Sequence, residues 1–448
     1  MKYFGTDGIR GTYGDIEISE PFFNALGKAT ADWISENGGG KIVVGGDTRA
    51  STDVLKQAFC DGLKEGGAEF EDLGVLPTPA LAYGVLVRGA KMGAMITASH
   101  NPYTDNGIKF FDENARKFED ALQEWLEVQL EKYLPSFDSY KPQTFEPREI
   151  EVGKFATEEY VKKMSSIFPE GFLKGVKIAI DMANGATSKV SSKVFSAYGA
   201  EVFEIGCQPT GLNINAEIGS QHPEKMSELC KQVGANVGFA HDGDGDRVVV
   251  ADETGSILEG EEILGLIAID AKARGKLPND TIVTTLQSNI GLDESLKENG
   301  IAVYRSGIGD RLVMREMLVR GAEIGGENSG HFIFSEISPC GDGLAAALAV
   351  LSVMTSKNDK LSALRGGIKM YPQLAKAIAV ARKTPIEQAE NLSGAMASCG
   401  DILAGEGRLL IRYSGTEKKI RLLAEGKDLK KVQRCMQLLE KAVELDLQ

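Results

Sequence analysis

The chain has 448 residues, 42% of them hydrophobic and 25% charged, which is typical of a folded globular protein of roughly three domains. Sixty-four acidic and fifty basic residues give a net charge of −14, so the summed field repels polyanions and disfavours a nucleic-acid partner. The longest strongly apolar run, Leu344–Met354, is too short for a bilayer, and the start MKYFGTDGIRG has no apolar signal core, so we expect a cytoplasmic protein with no membrane partner.

Three segments share one pattern, in which a strand-like run, a polar loop and a helix-length stretch are followed by a glycine and a second short strand. They are Lys41–Gly74, Lys177–Gly206 and the fainter Thr281–Gly307. Their spacing, on the order of 100 residues or more, is too long for a solenoid repeat and predicts three related α/β domains in series. For the third segment the alternative stays open that any β-α-β unit has this pattern.

The stretch between the first two segments predicts a helix and then a linker. Apolar residues recur at helical spacing over Arg116–Leu134, the helix stops at Pro135, and SFDSYKPQTFEPRE has further prolines and no periodicity. After Gly367 the sequence changes character, and a last helix is predicted from Asp428 to about Leu445. We expect four domains, at 1–150, 151–255, 256–367 and 368–448, the last a smaller α+β domain.

One candidate site is the segment Thr97–Pro102, TASHNP, which follows an apolar stretch in the first domain. A serine at a strand end, in a loop closed by proline, is well placed to enter a cleft. The GxSxG pattern of serine hydrolases is absent, and we expect His100 not to act as a base on Ser99 because adjacent side chains diverge. Taken alone, the segment favours an ordinary Ser-Asn turn.

The sharpest motif is HDGDGDR, between two apolar runs. Its alternate carboxylates, Asp242, Asp244 and Asp246, can converge on one hard cation, and magnesium is the expected ion. A calcium EF-hand loop would use these acids together with Glu253, but it needs glycine where Arg247 stands and helices where this sequence predicts strands. A solvated acidic turn is disfavoured because clustered carboxylates repel one another without a cation.

Two further polar loops lie in the second half of the chain. The segment Gly325–His331, GGENSGH, combines a carboxylate, an amide, a hydroxyl and an imidazole, which match sugar hydroxyls. The segment Arg412–Glu417, RYSGTE, with Arg421 beyond it, has the arginines, hydroxyls and glycine of a phosphate site. Each alone is also typical of a surface turn. Together, the four motifs predict an anion-handling, magnesium-dependent site in a central cleft, with one loop from each domain.

The cysteines are scattered and form no CxxC pair. We expect reduced, mostly buried thiols, with no disulfide and no zinc site. The six residues are Cys60, Cys207, Cys230, Cys340, Cys399 and Cys435.

In their order and spacing, TASHNP, DGDGDR, GENSGH and RYSGTE strongly resemble the motifs of the α-D-phosphohexomutase superfamily over the whole chain. FGTDGIRG, the GENSGH variant and EGRLLIRYSGTE are most similar to its phosphoglucosamine mutase family. The resemblance implies three related mixed α/β domains, a smaller C-terminal α+β domain and an active site in the central cleft. It also implies an isomerase that converts glucosamine 6-phosphate into glucosamine 1-phosphate, on the route to cell-wall amino sugars.

The resemblance implies roles for single residues as well. Ser99 would carry a phosphoryl group, and Mg²⁺ would be held by Ser99, Asp242, Asp244 and Asp246. The implied catalytic residues are Ser99, Lys109, Arg10, Arg247 and His331, with Lys109 the first candidate for general acid or base. The implied sugar-binding residues are Glu327, Asn328 and Ser329, and the implied phosphate-binding residues are Arg412, Ser414, Gly415, Thr416 and Arg421. A sugar phosphate would be the small-molecule partner and a sugar bisphosphate the activator, while the oligomeric state stays open, with a homodimer as one candidate.

The chain departs from the superfamily pattern in places. Lys418 and Lys419 stand where proline is common after SGTE, and Tyr413 stands where lysine is common. The loop Ser306–Arg311, SGIGDR, lacks the histidine of many glucose and mannose mutases, which favours the glucosamine substrate. Three alternatives remain: a phosphomannomutase or phosphoglucomutase with the same chemistry, a phosphatase that passes the phosphoryl group to water, and a catalytically silent sugar-phosphate-binding protein.

Overall fold

Four β-sheets, one in each successive part of the chain, organise the molecule. The computed structural model describes residues 1–5, 7–414 and 418–448. We call the units built on the four sheets domains I to IV. Of the boundaries that we propose, those near residues 150 and 255 lie between helices and strands, and the one near residue 367 lies at the end of a short 3-10 helix, Arg365–Gly367. The predicted fold class, three related α/β domains and a smaller C-terminal α+β domain, is confirmed. In the described part of the chain no helix has the length and apolar character needed to cross a membrane.

Domain I has a five-stranded sheet covered by helices. Its elements are β1 (Ile9–Thr12), α1 (Glu20–Glu36), β2 (Lys41–Gly46), α2 (Thr52–Glu65), β3 (Glu69–Val75), α3 (Thr78–Arg88), β4 (Met92–Ile96), β5 (Asp105–Asp112) and α4 (Asp120–Leu130). The strand order is β1-β5-β4-β2-β3; β2, β3 and β4 are parallel, and β5 is antiparallel to β1 and β4. The central strand β4 is buried along its whole length, as expected for a strand covered by helices on both faces.

Domains II and III repeat this sheet without its first strand. Domain II contains α5 (Val161–Met164), β6 (Lys177–Asp181), α6 (Ser191–Ala197), β7 (Glu201–Ile205), α7 (Glu224–Val233), β8 (Val237–His241) and β9 (Val248–Asp252). Domain III contains α8 (Gly260–Ala273), β10 (Thr281–Thr285), α9 (Ile290–Glu298), β11 (Ala302–Ser306), α10 (Asp310–Arg320), β12 (Ile324–Gly326), β13 (Phe332–Phe334), α11 (Gly343–Lys357) and α12 (Leu361–Leu364). The strand orders are β7-β6-β8-β9 and β11-β10-β12-β13, and β9 and β13 are antiparallel to their neighbours.

The three repeated sequence segments each form a parallel β-α-β unit. The units are β2-α2-β3, β6-α6-β7 and β10-α9-β11, and the two strands of each unit pair in parallel. The prediction is therefore confirmed for the fainter third segment too. All six cysteines are free thiols, and five of them are buried.

Domain IV has a different fold. It contains β14 (Gln373–Ala379), α13 (Glu390–Leu403), β15 (Gly407–Tyr413), β16 (Lys419–Gly426) and α14 (Leu429–Leu447). Its strands form an antiparallel sheet in the order β14-β16-β15, and the apolar faces of α13 and α14 bury their side chains against it. The predicted last helix is confirmed as α14, which begins after Asp428, whose carboxylate accepts hydrogen bonds from two backbone N–H groups of the first turn.

The predicted helix over Arg116–Leu134 is shorter than expected. Before Glu119 the backbone continues the sheet, because Lys117 forms a bridge to Phe111 and the Arg116 N–H donates to the Asp112 side chain. The helix therefore occupies only α4, since sheet contacts take up the first residues of the apolar pattern.

Three loops occupy equivalent places in domains I, II and III. Each connects the last parallel strand to the antiparallel strand beside it: the Ser99 loop (residues 97–104) joins β4 to β5, the aspartate loop (residues 242–247) joins β8 to β9, and the Glu327 loop (residues 327–331) joins β12 to β13. Three of the four predicted motifs therefore lie on one and the same connection of a repeated fold.

Candidate active site

Ser99 lies at the point where domains I and II meet. Its side chain is completely buried, and its hydroxyl donates to Asp242 Oδ2 at 2.7 Å. The backbone of Ser99 is left-handed, with φ of 53°, a conformation that costs a non-glycine residue on the order of 1–2 kcal/mol. Such a backbone persists only where its surroundings hold it in place.

Arg49 holds the Ser99 loop from within domain I. Its guanidinium is fully buried, pairs with Asp47 at 2.9 Å and donates to four backbone carbonyl groups. These carbonyls belong to Ser99, Asn101, Pro102 and Asp105. Sequence reasoning missed both charged residues, although they lie in the repeated segment, in GGDTRAS.

Domain II holds the same loop from the other side. The Asn215 amide donates to the carbonyls of Ser99 and Asn101 at 2.8 and 3.0 Å. At Gly243 a Cβ would lie 2.7 Å from the Ser99 carbonyl oxygen, so only glycine permits this approach of the aspartate loop.

Asp242, Asp244 and Asp246 form a buried carboxylate cluster whose ligand oxygens all lie within 4.8 Å of one another. Asp244 Oδ1 and Asp246 Oδ1 are buried and accept no hydrogen bond from the described residues. Burial and the two neighbouring carboxylates raise the pKa of Asp242 well above its ordinary value. Carboxylate oxygens left without donors are what a hard divalent cation binds, so the cluster fits a metal site. Glu253, the further acid of the EF-hand alternative, instead accepts from Ser362.

Lys109 supplies positive charge to this cluster from domain I. Its ammonium donates to Asp244 Oδ2 at 2.6 Å and to Asp246 Oδ2 at 2.9 Å, and Thr78 also donates to Asp244. Burial works to lower the pKa of Lys109, but the surrounding aspartates outweigh it and raise the pKa well above the ordinary value. The side chain is therefore protonated at neutral pH.

His100 does not diverge from Ser99, contrary to the expectation for adjacent residues. Its Nδ1 lies 3.3 Å from Ser99 Oγ and 3.1 Å from Arg247 Nη1. The left-handed backbone at Ser99 explains this proximity, since it turns the chain sharply between the two residues. Burial and the charge of Arg247 lower the pKa of His100 to about 4, so its imidazole is neutral at neutral pH.

The remaining predicted catalytic residues lie around the same cleft. Arg247 Nε is 4.0 Å from Asp246 Oδ1, and Arg10 pairs with Asp7. His331 is buried, with Nε2 3.1 Å from Asp310 Oδ2 and Nδ1 3.8 Å from Asp246 Oδ1. Burial opposes its protonation, but the two aspartates outweigh it and raise the pKa of His331.

The predicted sugar-binding residues lie on the more open side of the Glu327 loop. Glu327 is half-buried and accepts from the Gly309 N–H at 2.8 Å, whereas Asn328 and Ser329 are exposed. Exposed amide and hydroxyl groups beside a fixed carboxylate can form hydrogen bonds with a polar ligand.

The fourth predicted loop lies in domain IV, and three of its residues, Gly415, Thr416 and Glu417, fall outside the described residues. Arg412 and Arg421 are directly opposite on β15 and β16, and both line a groove of about 210 Å³ that Gln287 of domain III also lines. Burial and the charge of Arg421 lower the pKa of Arg412. An anion between the two guanidinium groups would relieve their repulsion.

Ser414 and the lysines that depart from the superfamily pattern lie on the same loop. Ser414 is buried, its N–H donates to the Lys419 carbonyl, and its own carbonyl accepts from Lys383. Lys418 is exposed. The hydrogen bonds described for this loop stay within domain IV, so the structure brings together the loops of domains I, II and III and places the fourth on a neighbouring groove.

Comparison with known proteins bears on all four domains. Family models for phosphoglucomutase/phosphomannomutase match in series: alpha/beta/alpha domain I at residues 1–135, domain II at 158–255, domain III at 259–371 and the C-terminal domain at 376–442. A phosphoglucosamine mutase from Symbiobacterium thermophilum is 40% identical over 449 residues, which is 100% of both chains. One from Aliarcobacter butzleri is 39% identical over 98% of both chains. The chain belongs to the phosphoglucosamine mutase family. As a phosphoglucosamine mutase family member it is an isomerase of the phosphohexomutase type.

Solved structures share the fold of this phosphoglucosamine mutase family member. A phosphoglucomutase/phosphomannomutase family protein from Burkholderia thailandensis superposes with a TM-score of 0.82 at 23% identity, covering 99% of this chain and 97% of the other. An N-acetylphosphoglucosamine mutase from Aspergillus fumigatus, solved in complex with GlcNAc-6P and magnesium, superposes with a TM-score of 0.67 at 16% identity, covering 98% of this chain and 95% of the other.

We predict that Arg49→Lys loosens the Ser99 loop. A lysine ammonium has three donors and no planar fork, so it cannot serve Asp47 and four carbonyl groups at once. Each buried acceptor left unpaired costs about 1–3 kcal/mol, so backbone hydrogen exchange over residues 98–105 should accelerate about tenfold or more in the intact chain, as measured by mass spectrometry.

The matched control is Arg148→Lys, which alters an exposed ion pair with Asp53 in the same part of the chain and should leave exchange in the Ser99 loop unchanged. Equal protection of the loop in the wild type and in Arg49→Lys would show that the guanidinium does not hold it.

Proposed function

We propose that this enzyme interconverts glucosamine 6-phosphate and glucosamine 1-phosphate through a phosphoserine at Ser99 and a bisphosphorylated sugar intermediate. One observation carries the proposal: the buried Ser99 hydroxyl lies 2.7 Å from Asp242, within a cluster of three carboxylates suited to a cation. The phosphoglucosamine mutases that match the full chain support the amino sugar as substrate over glucose or mannose. The product would feed the synthesis of UDP-N-acetylglucosamine in the cytoplasm.

The carboxylate cluster supports magnesium as the cofactor. Asp242, Asp244 and Asp246 would hold the ion together with an oxygen of the phosphorylated Ser99, because these are the hard oxygen donors that Mg²⁺ prefers. When bound, the ion would neutralise negative charge on the phosphoryl group.

The reaction needs two phosphoryl transfers of opposite direction. In the first, the Ser99 Oγ–P bond breaks, a bond forms from phosphorus to the free sugar hydroxyl, and the proton of that hydroxyl passes to Ser99 Oγ. In the second, the other phosphate of the bisphosphate returns to Ser99 and the proton passes back to the sugar oxygen. Lys109, a buried and protonated amine beside the cluster, is our first candidate for the proton relay, and His331 is the second.

The remaining assignments follow from charge and position. Phosphoryl transfer depends mainly on positioning and on charge stabilisation, which Arg247 and Arg10 would supply in the cleft. Glu327, Asn328 and Ser329 would bind the sugar hydroxyls. Arg412, Ser414, Gly415, Thr416 and Arg421 would bind the phosphate that is not being transferred. A sugar bisphosphate would act as activator because it can phosphorylate Ser99 before the first turnover.

The first test is the initial rate of the wild-type enzyme with glucosamine 1-phosphate, glucose 1-phosphate and mannose 1-phosphate, with Mg²⁺ and a sugar bisphosphate present. We expect kcat/KM to favour the amino sugar by about tenfold or more, the scale that one buried polar contact provides. Preference for a neutral hexose would assign the enzyme to a neighbouring subfamily, and inorganic phosphate without isomerised product would make it a phosphatase.

We predict that Ser99→Ala lowers turnover by about 10³-fold or more, because the phosphoryl group then has no carrier. The fold should persist, since the hydroxyl donates a single hydrogen bond, to Asp242. Mass spectrometry should find phosphate on the wild type after incubation with the bisphosphate, and none on the variant. Ser166→Ala removes an exposed hydroxyl bonded to the Lys163 carbonyl and should retain full activity. Wild-type turnover by Ser99→Ala would exclude the phosphoserine mechanism.

We predict that Asp244→Asn weakens Mg²⁺ binding and turnover together, with the Mg²⁺ concentration for half-maximal rate rising about tenfold or more, because a neutral amide is a weaker ligand than a carboxylate. Glu253→Gln is the matched control: it removes the acid that a calcium loop would need, but its contact is with Ser362. An unchanged Mg²⁺ dependence of Asp244→Asn would disprove the ligand assignment.

A further inference from the structure

Asp310, the first residue of α10, lies outside the four predicted motifs and is nonetheless part of the cleft. Its side chain is buried, and its Oδ2 lies 2.5 Å from Lys117 Nζ and 3.1 Å from His331 Nε2. Lys117 belongs to domain I and His331 to domain III. One carboxylate oxygen therefore joins an ammonium group of one domain to an imidazole of another.

This carboxylate is the middle of a longer series of charged groups. On one side, Lys117 also pairs with Asp7 at 2.5 Å, and Asp7 pairs with Arg10. On the other side, His331 approaches Asp246 of the carboxylate cluster. Positive and negative groups alternate along the whole series, which we call the ionic chain. Its members are Arg10, Asp7, Lys117, Asp310, His331 and Asp246.

The neighbour of Asp310 contacts the Glu327 loop as well. Gly309 has φ of 117°, in the region that favours glycine, and its N–H donates to Glu327 Oε1 at 2.8 Å. Gly309 therefore contacts the carboxylate of Glu327 at the start of the Glu327 loop, and Asp310 contacts the imidazole of His331 at the end of the same loop.

We propose that Asp310 is a positioning residue for the mutase reaction: its carboxylate holds the His331 imidazole in the cleft and, through Lys117, ties the Glu327 loop to the domain that carries Ser99. The inference rests on the proposed function and deepens it, because it names the group that sets the geometry of the second proton-relay candidate.

The orientation of the imidazole ring depends on the groups that flank it. A histidine side chain can present either nitrogen to either side unless partners fix it, and a carboxylate on one nitrogen is the usual means of doing so. Asp310 Oδ2 lies within ion-pair distance of Nε2 of His331, and Asp246 Oδ1 lies 3.8 Å from Nδ1, so acids from two different domains flank the ring. Misplacing a reacting group by about 1 Å can cost on the order of 10²-fold in rate.

The next residue, Arg311, provides a control, because it also contacts domain I. Arg311 donates to the Phe118 carbonyl at 3.0 Å and pairs with Asp120 at 2.6 Å, so it also joins domain III to domain I. No contact with His331 is described for its side chain. If Asp310 acted only by joining the two domains, substitution of Arg311 and substitution of Asp310 would lower kcat by similar factors.

The experiment compares wild type, Asp310→Asn, Arg311→Gln, His331→Ala and the double variant Asp310→Asn/His331→Ala with glucosamine 1-phosphate, at saturating Mg²⁺ and bisphosphate. We expect Asp310→Asn to lower kcat about 10²-fold with KM changed less than about threefold, and Arg311→Gln to retain kcat within about threefold. In the His331→Ala background, Asp310→Asn should cause less than about a threefold further loss, since the contact with His331 and the tie to Lys117 both act on kcat by placing the imidazole. Asp310→Glu, which keeps the charge, should recover part of kcat.

The outcomes separate the two proposals. If the wild type neither isomerises glucosamine 1-phosphate nor carries phosphate on Ser99, the proposed function fails. If the wild type is active, the inference is overturned by an unchanged kcat in Asp310→Asn, by equal losses in Asp310→Asn and Arg311→Gln, or by an undiminished loss in the His331→Ala background. Should Asp310→Asn not fold, Lys117→Met takes its place in the wild-type and His331→Ala backgrounds. An unchanged kcat in Lys117→Met, or an undiminished loss in the His331→Ala background, then overturns the inference.

Discussion

The burial of three carboxylates on one loop is the constraint on which the rest of the structure depends. Asp242, Asp244 and Asp246 lie within 4.8 Å of one another in the interior, and each buried ion without a partner would cost several kcal/mol. Their own domain supplies too few donors, so the neighbouring domain does: Lys109 donates to two of the acids and Ser99 to the third. These contacts, together with the apolar core that the two domains share, hold domain I against domain II and place the hydroxyl beside the acids. Two oxygens still accept no hydrogen bond from the described residues, which is where a cation would complete the neutralisation.

A repeated fold explains how loops far apart in sequence reach one cleft. In domains I, II and III the same connection, from the last parallel strand to the antiparallel strand beside it, carries the Ser99 loop, the aspartate loop and the Glu327 loop. Loops that follow parallel strands emerge at the carboxyl edge of a sheet, where α/β folds bind their ligands. When related domains pack with these edges facing one another, each contributes one short loop to the cleft. In the proposed reaction, one loop carries the phosphoryl group, one binds the cation and one binds the sugar.

The site residues that could be predicted from the sequence belong to local sequence patterns, whereas those that could not be predicted act through contacts with distant residues. Glycine-spaced aspartates and the TASHNP segment are recognisable because their chemistry is local, and the repeated β-α-β pattern is recognisable because hydrophobic periodicity is local too. Arg49 and Asp310 act over long sequence separations: Arg49 serves carbonyls about fifty residues away, and Asp310 pairs with a lysine of another domain. The sequence around a single charged residue does not indicate such partners, since a charged residue exposed at the surface can have the same sequence context. The expectation that the side chains of His100 and Ser99 diverge was wrong for a related reason: the left-handed backbone at Ser99, whose carbonyl accepts from Arg49 and Asn215, brings the imidazole to 3.3 Å from the hydroxyl.

Charge also explains how an acidic protein can bind an anionic substrate. The net charge of −14 repels a sugar phosphate at long range, but salt screens that field beyond about 8–10 Å. The charges close to the binding site then determine whether the anion is attracted. In domain IV, Arg412 and Arg421 face each other across adjacent strands, and their mutual repulsion lowers the pKa of Arg412. In the central cleft, cations are paired with carboxylates along the ionic chain. In the proposed reaction, the two arginines of domain IV would bind the phosphate that is not being transferred, whereas the ionic chain holds the geometry of the central cleft. In the proposed reaction each phosphate of the bisphosphate is transferred in turn, so the groove that binds the other phosphate would have to accept either one while the reacting groups of the cleft keep their positions.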